Sequence, residues 1–314
     1  MVQKVGPVIP AHGTLLVCPE NGRLQIWGLT DASVGGGISG VAVEIAAPGI
    51  VRLNIHMLRP YVVFREGTAF FLEGAAPVGL PDYLRKAMRK HLPDDDIIAL
   101  HQAWHECIVL GMLAMMILEQ GHGGTILVVR EVDGNWRDSI NPFAFRFATP
   151  ITTAQEWIRQ RLKNNQTYGE ALAHISSSSL SQEDKTMLTV AASSNPWQPR
   201  DAVQYFAPMA NCDGALVMTR DLAVLGFGAK ITVREGIPQT LMLYRLNPLP
   251  GPQRLDPCPL EDLGGMRHQS AARFVAVNRD AVSIVISQDR RMSILHWSDD
   301  LNGVIAVQHA EWWA

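Results

Sequence analysis

A long apolar segment that changes from a helical to an extended pattern at a glycine turn is the feature that most constrains the fold of this chain. Residues 94–96 (Asp-Asp-Asp) supply N-cap and early-turn carboxylates, and a helical pattern continues from there to about Gln120. Gly121 and the pair Gly123-Gly124 end that pattern, and an unbroken apolar run follows at residues 125–129. A helix followed directly by such a strand is typical of a buried strand in an α/β sheet.

The N-terminal part of the chain has the period of β-strands instead. Between about Gly13 and Glu73, short β-branched or aromatic stretches alternate with Gly and Pro, which predicts a small β-rich domain. A glycine-rich turn at residues 35–40 lacks the Lys and Ser/Thr spacing of a P-loop, so a hairpin turn is favoured over a phosphate loop. From Pro81 to Pro93 the period becomes helical, with one apolar and one basic face.

Strand patterns return close together after the helix-rich centre of the chain. They lie at residues 215–218, 223–228, 240–244, 282–286 and 292–295. Closely spaced strands after helices favour a mixed β-sheet flanked by helices over a purely parallel sheet. The sequence therefore predicts an α/β fold with a smaller N-terminal β-rich domain. The expected division is a β-rich domain at 1–80, a linker helix at 81–96 and an α/β domain at 97–314.

Composition excludes several classes of protein. With 314 residues, of which 47% are hydrophobic and 18% charged, the chain has the composition of a folded protein and not of a disordered one. A net charge of −3 gives no basic field that would favour nucleic acid as a partner. The longest apolar run, residues 107–118, is well short of the roughly twenty residues that span a bilayer, so we expect no membrane attachment. Four separated cysteines without a Cys-x-x-Cys pair favour a reducing, cytoplasmic setting.

A carboxylate stands directly before one of the predicted strands, in Asp213-Gly214-Ala215. Glycine permits close approach of a ligand to the backbone, and alanine leaves room beside it. The same three residues are compatible with an ordinary Asp-Gly turn.

A second motif lies at residues 264–276, where two glycines precede Arg267 and His268 and small residues follow them. A glycine turn followed by small residues suits a helix whose N-terminal N–H groups point at an anion, with Arg and His adding donors. A helix cap with incidental basic residues is the alternative.

In order and approximate spacing, these motifs resemble those of the diadenylate cyclase (DAC) domain family. Members of that family carry an Asp-Gly-Ala motif, an Arg-His-Arg motif after Gly-Thr, and a strand that ends in Val-Val-Ser-Glu. This chain has Asp213-Gly214-Ala215, Arg267-His268-Gln269 and residues 284–288 (Ile-Val-Ile-Ser-Gln). The resemblance covers roughly residues 97–298. Since some relatives carry an N-terminal sensor region, it implies that role for the β-rich domain.

The resemblance implies a reaction and a set of partners. Two ATP molecules condense to cyclic di-AMP with release of pyrophosphate, and each ribose 3′-hydroxyl attacks the α-phosphate of the other nucleotide. Two domains must therefore face each other, which implies a homo-oligomer with face-to-face sites. The family also implies Mg²⁺ or Mn²⁺, in keeping with the oxygen-rich chemistry of phosphoryl-type transfer.

The resemblance also assigns roles to residues of this chain. The implied catalytic residues are Asp213, Arg267 and His268: the carboxylate assists deprotonation of the hydroxyl or holds the metal, and the two basic residues stabilise phosphate charge. The implied nucleotide-binding residues are Gly214, Ala215, Gly228, Gln269, Ser270 and Ser287. Asp213 and Asp289 are the implied metal ligands.

Three positions depart from the family pattern. Met266 replaces a Thr, Gln269 replaces the second Arg of Arg-His-Arg, and Gln288 replaces the Glu that follows the Ser. An amide does not pair with phosphate as a guanidinium does, and it is a poorer metal ligand than a carboxylate. These changes keep open a second hypothesis, a catalytically degenerate nucleotide-binding sensor module.

His101, His105 and Glu106 form a competing constellation, because i and i+4 place two imidazoles on one helical face beside a carboxylate. A metal hydrolase built on them needs a third ligand and usually the His-Glu-x-x-His order, which is absent here. We therefore expect these three residues to be exposed polar residues on an amphipathic helix.

Overall fold

The computed structural model describes the chain in twelve segments. The described residues are 13–20, 23–31, 41–47, 50–55, 59–65, 68–71, 80–88, 97–177, 181, 199–233, 241–246 and 255–313. Strands and helices are numbered below in chain order.

Within these residues, the N-terminal strands form a six-stranded antiparallel sheet. The strands are β1 (Gly13–Glu20), β2 (Arg23–Asp31), β3 (Val41–Ala47), β4 (Ile50–Ile55), β5 (Arg59–Arg65) and β6 (Thr68–Phe71). They pair in the order β2-β1-β3-β4-β5-β6, and each pair is antiparallel. The β-strand pattern predicted for this region is confirmed. The predicted hairpin turn at 35–40 lies outside the described residues.

A nine-stranded mixed sheet follows in the later segments. Its strands are β7 (Gly124–Val129), β8 (Phe145–Ile151), β9 (Ala215–Thr219), β10 (Val224–Ala229), β11 (Leu243–Leu246), β12 (Leu255–Pro257), β13 (Val282–Ile286), β14 (Met292–Ser298) and β15 (Gly303–Gln308). Their order is β12-β11-β15-β14-β13-β7-β9-β10-β8. The pairs β7/β9 and β11/β15 are parallel, and the other neighbours are antiparallel. The prediction of an α/β fold with a mixed sheet is confirmed.

Helices cover the two faces of this sheet. They are α1 (Leu80–Met88), α2 (Ile97–Gln120), α3 (Thr153–Ser177), α4 (Pro199–Val203), α5 (Ala207–Ala210) and α6 (Met266–Val277), with 3-10 turns at Asn135–Ser139, Leu260–Leu263 and Ala310–Trp313. Helix α2 ends as the glycines predict: Gly121 has a φ of 71°, and its N–H donates to the Leu118 carbonyl at 3.2 Å.

None of the helices in the described segments combines the length and apolar character that crossing a bilayer requires.

Alternation along the central strands divides the core into two layers. In β7, Ile126 and Val128 belong to the layer that contains α2, whereas Leu127 and Val129 belong to the layer that contains α6. Strand β7 is therefore buried on both faces, as its unbroken apolar run predicts.

The prediction of an exposed polar face at His101, His105 and Glu106 is wrong for the two residues whose side-chain burial is described. His105 and Glu106 are 9% and 1% exposed, and Gln102 Nε2 donates to Glu106 Oε1 at 3.0 Å. The physical reason is that α2 contacts α1, α3, α4, α5 and the sheet, so that neighbouring elements also cover its polar residues.

Candidate functional site

Neighbouring strand ends bring most of the predicted site residues to one edge of the nine-stranded sheet. Strand β7 begins at Gly124, which lies opposite Ile286 at the end of β13. Strand β9 begins at Ala215, which lies opposite Ala229 at the end of β10. Because β7 and β9 are parallel neighbours, both junctions lie at the same edge. The loops that meet there carry Gly123, Asp213, Lys230 and Ser287.

Asp213 forms an ion pair at this edge with a residue that the motifs did not single out. Lys230 Nζ lies 2.9 Å from Asp213 Oδ2, and both side chains are exposed. The hydrogen bond and the charge of Lys230 lower the pKa of the Asp213 carboxyl, and the charge of Arg267 adds to the effect. Asp213 is therefore ionised near neutral pH and within electrostatic reach of Arg267.

The two glycines predicted to line a nucleotide lie against each other. Gly214 has a φ of 112°, and a Cβ atom there would lie 2.5 Å from the carbonyl carbon of Gly228. Gly228 has a φ of 71°, and its Cβ would lie 2.4 Å from the Cβ of Ala144. Ala215 is buried in the core beside them. Gly214 therefore lets the start of β9 approach the end of β10, and Gly228 lets β10 approach Ala144 before β8, so the backbone next to Asp213 is closely packed.

The Arg267 guanidinium lies against Gly123, next to the end of β13. A Cβ atom at Gly123 would lie 2.8 Å from Arg267 Nη1 and 2.8 Å from the Ile286 carbonyl oxygen. Gly123 also has a φ of 70°, in the left-handed region that favours glycine. The Arg267 guanidinium therefore passes close to the backbone at Gly123, where the absence of a Cβ atom leaves room for it.

The first turn of α6 adds backbone donors to this edge. Its N-cap residue is Gly265, and no side chain caps the helix. The N-terminal end of a helix carries partial positive charge and unsatisfied N–H groups, which favour an anion. Arg267 and His268 belong to the same turn, so two basic side chains accompany those donors.

His268 is held in one orientation by its neighbours. Its Nε2 lies 3.2 Å from Ser293 Oγ on β14, and its ring packs on Gly264, where a Cβ atom would lie 3.1 Å from Nδ1. Burial lowers the pKa of His268 and the charge of Arg267 lowers it further, whereas Asp289 opposes the change. His268 is therefore mainly neutral at pH 7 and acts through hydrogen bonds more than through charge.

A cavity of about 420 Å³ lies between the first turn of α6 and the ends of β13, β14 and β15. Arg267, His268, Ser287, Asp289, Arg291 and Ser293 are among the residues that line it. Asp213 is not a lining residue, so the candidate site has two parts, the cavity and the Asp213–Lys230 pair, and Arg267 belongs to the region between them.

The turn after β13 is closed by its own side chains. Ser287 Oγ donates to the Asp289 carboxylate and accepts from the Arg291 N–H at 3.1 Å. Asp289 Oδ2 lies 3.1 Å from Arg291 Nε. The hydrogen bond from Ser287 is the main cause that lowers the pKa of Asp289. Ser287 and Asp289, the predicted nucleotide-binding and metal-binding residues of this turn, both line the cavity.

Two predicted nucleotide-binding side chains are turned towards the backbone. Gln269 Nε2 donates to the Gly264 carbonyl at 3.0 Å, and Ser270 Oγ donates to the Arg267 carbonyl at 3.0 Å. Neither residue lines the cavity. Both side chains stabilise the first turn of α6 in this conformation.

Lys230, Arg291 and Ser293 are site residues that sequence reasoning missed. Each lies at or next to the end of a predicted strand, and this position is the signal that could have identified them. Within the described segments, no group of three His, Cys, Asp or Glu side chains is arranged to hold a metal ion.

In the comparisons with known proteins, no family model matched this chain and no curated protein matched it.

Proposed function

We propose that this chain is a diadenylate cyclase-like nucleotidyltransferase that condenses two ATP molecules to cyclic di-AMP and releases pyrophosphate. The observation that carries the proposal is the location of Asp213 and Arg267 at one sheet edge, within electrostatic reach of each other. One motif supplies a carboxylate and the other a guanidinium at a helix N-terminus. A nucleotidyl-transfer site needs both, because a hydroxyl must lose a proton while negative charge moves onto the leaving phosphates.

The cavity is suited to the phosphate end of ATP. Its volume of about 420 Å³ lies within the usual range of small-molecule sites. Arg267 offers a planar fork of donors that matches phosphate oxygens, and the uncapped first turn of α6 offers backbone N–H groups. His268 adds a hydrogen-bonding nitrogen without a full charge, because its pKa is lowered. Together they favour a polyphosphate over a neutral ligand.

In the proposed reaction, Asp213 receives the proton of the attacking hydroxyl. In the proposed step, the 3′-oxygen of one ATP forms a bond to the α-phosphorus of the other, and the bond from that phosphorus to the bridging oxygen of pyrophosphate breaks. The hydroxyl proton passes to an Asp213 carboxylate oxygen, and Arg267 stabilises the charge that develops on the phosphates. The Asp213 carboxyl is ionised at neutral pH, with its pKa lowered by Lys230, so an unprotonated oxygen is present to accept the proton.

Condensation of two nucleotides requires two such sites. One edge of the sheet presents one Asp213 and one cavity, so the second ATP is supplied by a facing copy of the chain. Holding both nucleotides in line turns a reaction between separate molecules into one within a complex, which is a major source of rate enhancement. The exposure of both Asp213 and Arg267 fits a surface that meets a partner.

Two carboxylates, Asp213 and Asp289, would be the protein ligands of a divalent cation of the type that accompanies nucleotides, and each pairs with a basic side chain in this structure. Mg²⁺ is commonly held by one or two carboxylates together with substrate phosphates and waters, and Asp213 and Asp289 offer such oxygen atoms. A bound Mg²⁺ or Mn²⁺ would supply neutralisation of phosphate charge.

A second candidate function, a nucleotide-binding sensor without catalysis, is favoured by two specific contacts. Lys230 already pairs with the carboxylate that the reaction needs, and the Gln269 amide is bonded to the backbone in place of a second phosphate-pairing charge. In that case the same cavity binds ATP or a cyclic dinucleotide and does not turn it over.

Incubation of the full chain with ATP and Mn²⁺ or Mg²⁺, with products resolved by mass spectrometry, distinguishes the two functions. We expect a cyclic dinucleotide from the parent protein and a loss of about 10²- to 10⁴-fold in Asp213→Asn. Asp300→Asn, in the exposed turn after β14, is the matched control and should retain full activity. Saturable ATP binding without product would establish the sensor, and an absence of binding would overturn both functions.

A further inference from the structure

The first turn of α6 contributes one guanidinium group to the cavity, whereas a polyphosphate carries several negative charges. The Gln269 side chain carries no charge and donates to the Gly264 carbonyl at 3.0 Å. His268 is mainly neutral at pH 7, because burial lowers its pKa. Arg267 is therefore the residue of this helical turn that brings a unit positive charge to the cavity.

A second guanidinium reaches the same cavity from another element. Arg291 precedes β14, lines the cavity, and is about half exposed (52% for the side chain). Its backbone is fixed by Ser287, whose N–H donates to the Arg291 carbonyl at 2.9 Å and whose Oγ accepts from the Arg291 N–H at 3.1 Å. Asp289 Oδ2 lies 3.1 Å from its Nε. The contact at Nε holds the side chain at the turn and leaves the two terminal nitrogens outside this ion pair.

The neighbouring arginine has a different environment. Arg290 has a φ of 60°, and its Nη2 lies 3.8 Å from the position of a Cβ atom at Gly121. Arg290 is not among the residues that line the cavity. The two arginines are adjacent in the sequence, equally charged and both exposed, but only Arg291 of this pair lines the cavity.

We propose that Arg291 is the second phosphate-binding guanidinium of this site and that it supplies, from the turn between β13 and β14, the charge that Gln269 lacks. The proposal rests on the proposed function in one respect, the identity of the ligand as a nucleoside triphosphate. Arg267 and Arg291 meet the phosphates from two different elements, so a triphosphate is favoured over a monophosphate or a nucleoside. A lysine would not replace Arg291 fully, because an ammonium group cannot pair with Asp289 and also present a planar fork to phosphate.

Calorimetric titration of the full chain with ATP, inorganic triphosphate and adenosine tests this assignment. We expect Arg291→Gln to weaken binding of ATP and of inorganic triphosphate about 10- to 100-fold, as loss of a charged hydrogen-bonding group does. Arg290→Gln is the matched control and should change both affinities less than about twofold, since a rim charge that does not reach the ligand contributes little. Arg291→Lys should fall between the parent and Arg291→Gln, and it serves if the glutamine variant fails to fold.

The outcomes separate this proposal from the proposed function. If Arg267→Gln weakens ATP binding and Arg291→Gln does not, the role of Arg291 is wrong and the nucleotide site stands. Equal losses in Arg290→Gln and Arg291→Gln would show a general effect of surface charge and overturn the assignment. If the parent binds inorganic triphosphate through Arg291 but does not bind ATP, Arg291 is a phosphate-binding residue and the proposed function fails.

Discussion

Lys230 Nζ lies 2.9 Å from Asp213 Oδ2 and joins the end of β10 to the loop that enters β9. Gly214 and Gly228 approach each other directly beside this pair, so the geometry of the ion pair is fixed by the backbone and not by the long lysine side chain alone. The backbone thus positions the carboxylate in the candidate site, and the pair lowers its pKa.

Lys230→Met should raise the pKa of Asp213 towards its ordinary value of about 3.9. The hydrogen bond and charge of Lys230 are the first two causes of the lowered pKa, and Arg267 alone remains in the variant. Carboxyl-carbon NMR titration of parent and variant measures the change. Because the folded pKa is depressed, the associated stability is present above the ordinary pKa and is lost as pH falls through the folded pKa. Identical titrations in the two proteins would contradict the ion pair.

His268 should make the folded protein less stable as pH falls from about 7. Its folded pKa lies below the ordinary value of about 6.5, so the unfolded chain binds more protons between those two values. Stability is therefore lost as pH decreases through 6.5 and stops changing, for this group, below the folded pKa. Urea unfolding of parent and His268→Gln at several pH values measures the difference. The control is His122→Gln, a substitution of an exposed histidine.

Much of the fold could be predicted because its central strands have unambiguous patterns. Strands β7, β9, β10 and β13 are short apolar runs bounded by glycine or polar residues, and all four lie where the sequence predicts them. Strand β8 (Phe145–Ile151) was not predicted, because it lies at the edge of the sheet, is largely exposed and contains Pro150. The burial of His105 and Glu106 was also missed, although α2 is apolar around most of its circumference, which is typical of a helix that packs on several sides.

The candidate site could be predicted only as separate motifs. Asp213 and Arg267 were identified from local patterns, but their proximity depends on the strand order β13-β7-β9-β10, which long-range pairing determines. Lys230 and Arg291 resemble ordinary turn charges in the sequence, and their roles follow from the contacts that the sheet edge creates.

Glu311→Ala should destabilise the protein by about 1 to 3 kcal/mol, because a buried backbone donor would lose its partner. Glu311 is buried, its Oε2 accepts from the Met292 N–H at 2.7 Å, and its Oε1 lies 3.1 Å from His309 Nδ1. These contacts fix the start of β14 to the last 3-10 turn. Thermal or urea unfolding measures the change, and Glu261→Ala, at an exposed position, should stay within about 0.5 kcal/mol of the parent. Equal stability of the two variants would refute an anchoring role.

Gly123→Ala should lower both stability and triphosphate affinity. The φ of 70° strains any residue with a Cβ atom, and that atom would lie 2.8 Å from both Arg267 Nη1 and the Ile286 carbonyl oxygen. The backbone oxygen cannot move easily, so we expect a loss of about 1 to 3 kcal/mol in unfolding free energy. Arg267 would also be displaced, and phosphate binding would weaken with it.

Gly265→Ala separates the strain and the steric clash expected at position 123 from the general effect of replacing a glycine. A Cβ atom at Gly265 meets nothing within 4 Å, and its φ of −67° is open to every residue. As an N-cap change it should cost less than about 1 kcal/mol. Urea unfolding of both variants compares the two positions for stability, and the parent is the reference for ligand binding because Gly265 itself lines the cavity. If Gly123→Ala binds inorganic triphosphate as tightly as the parent, the guanidinium of Arg267 does not depend on the room at Gly123, and the geometry assigned to this edge is wrong.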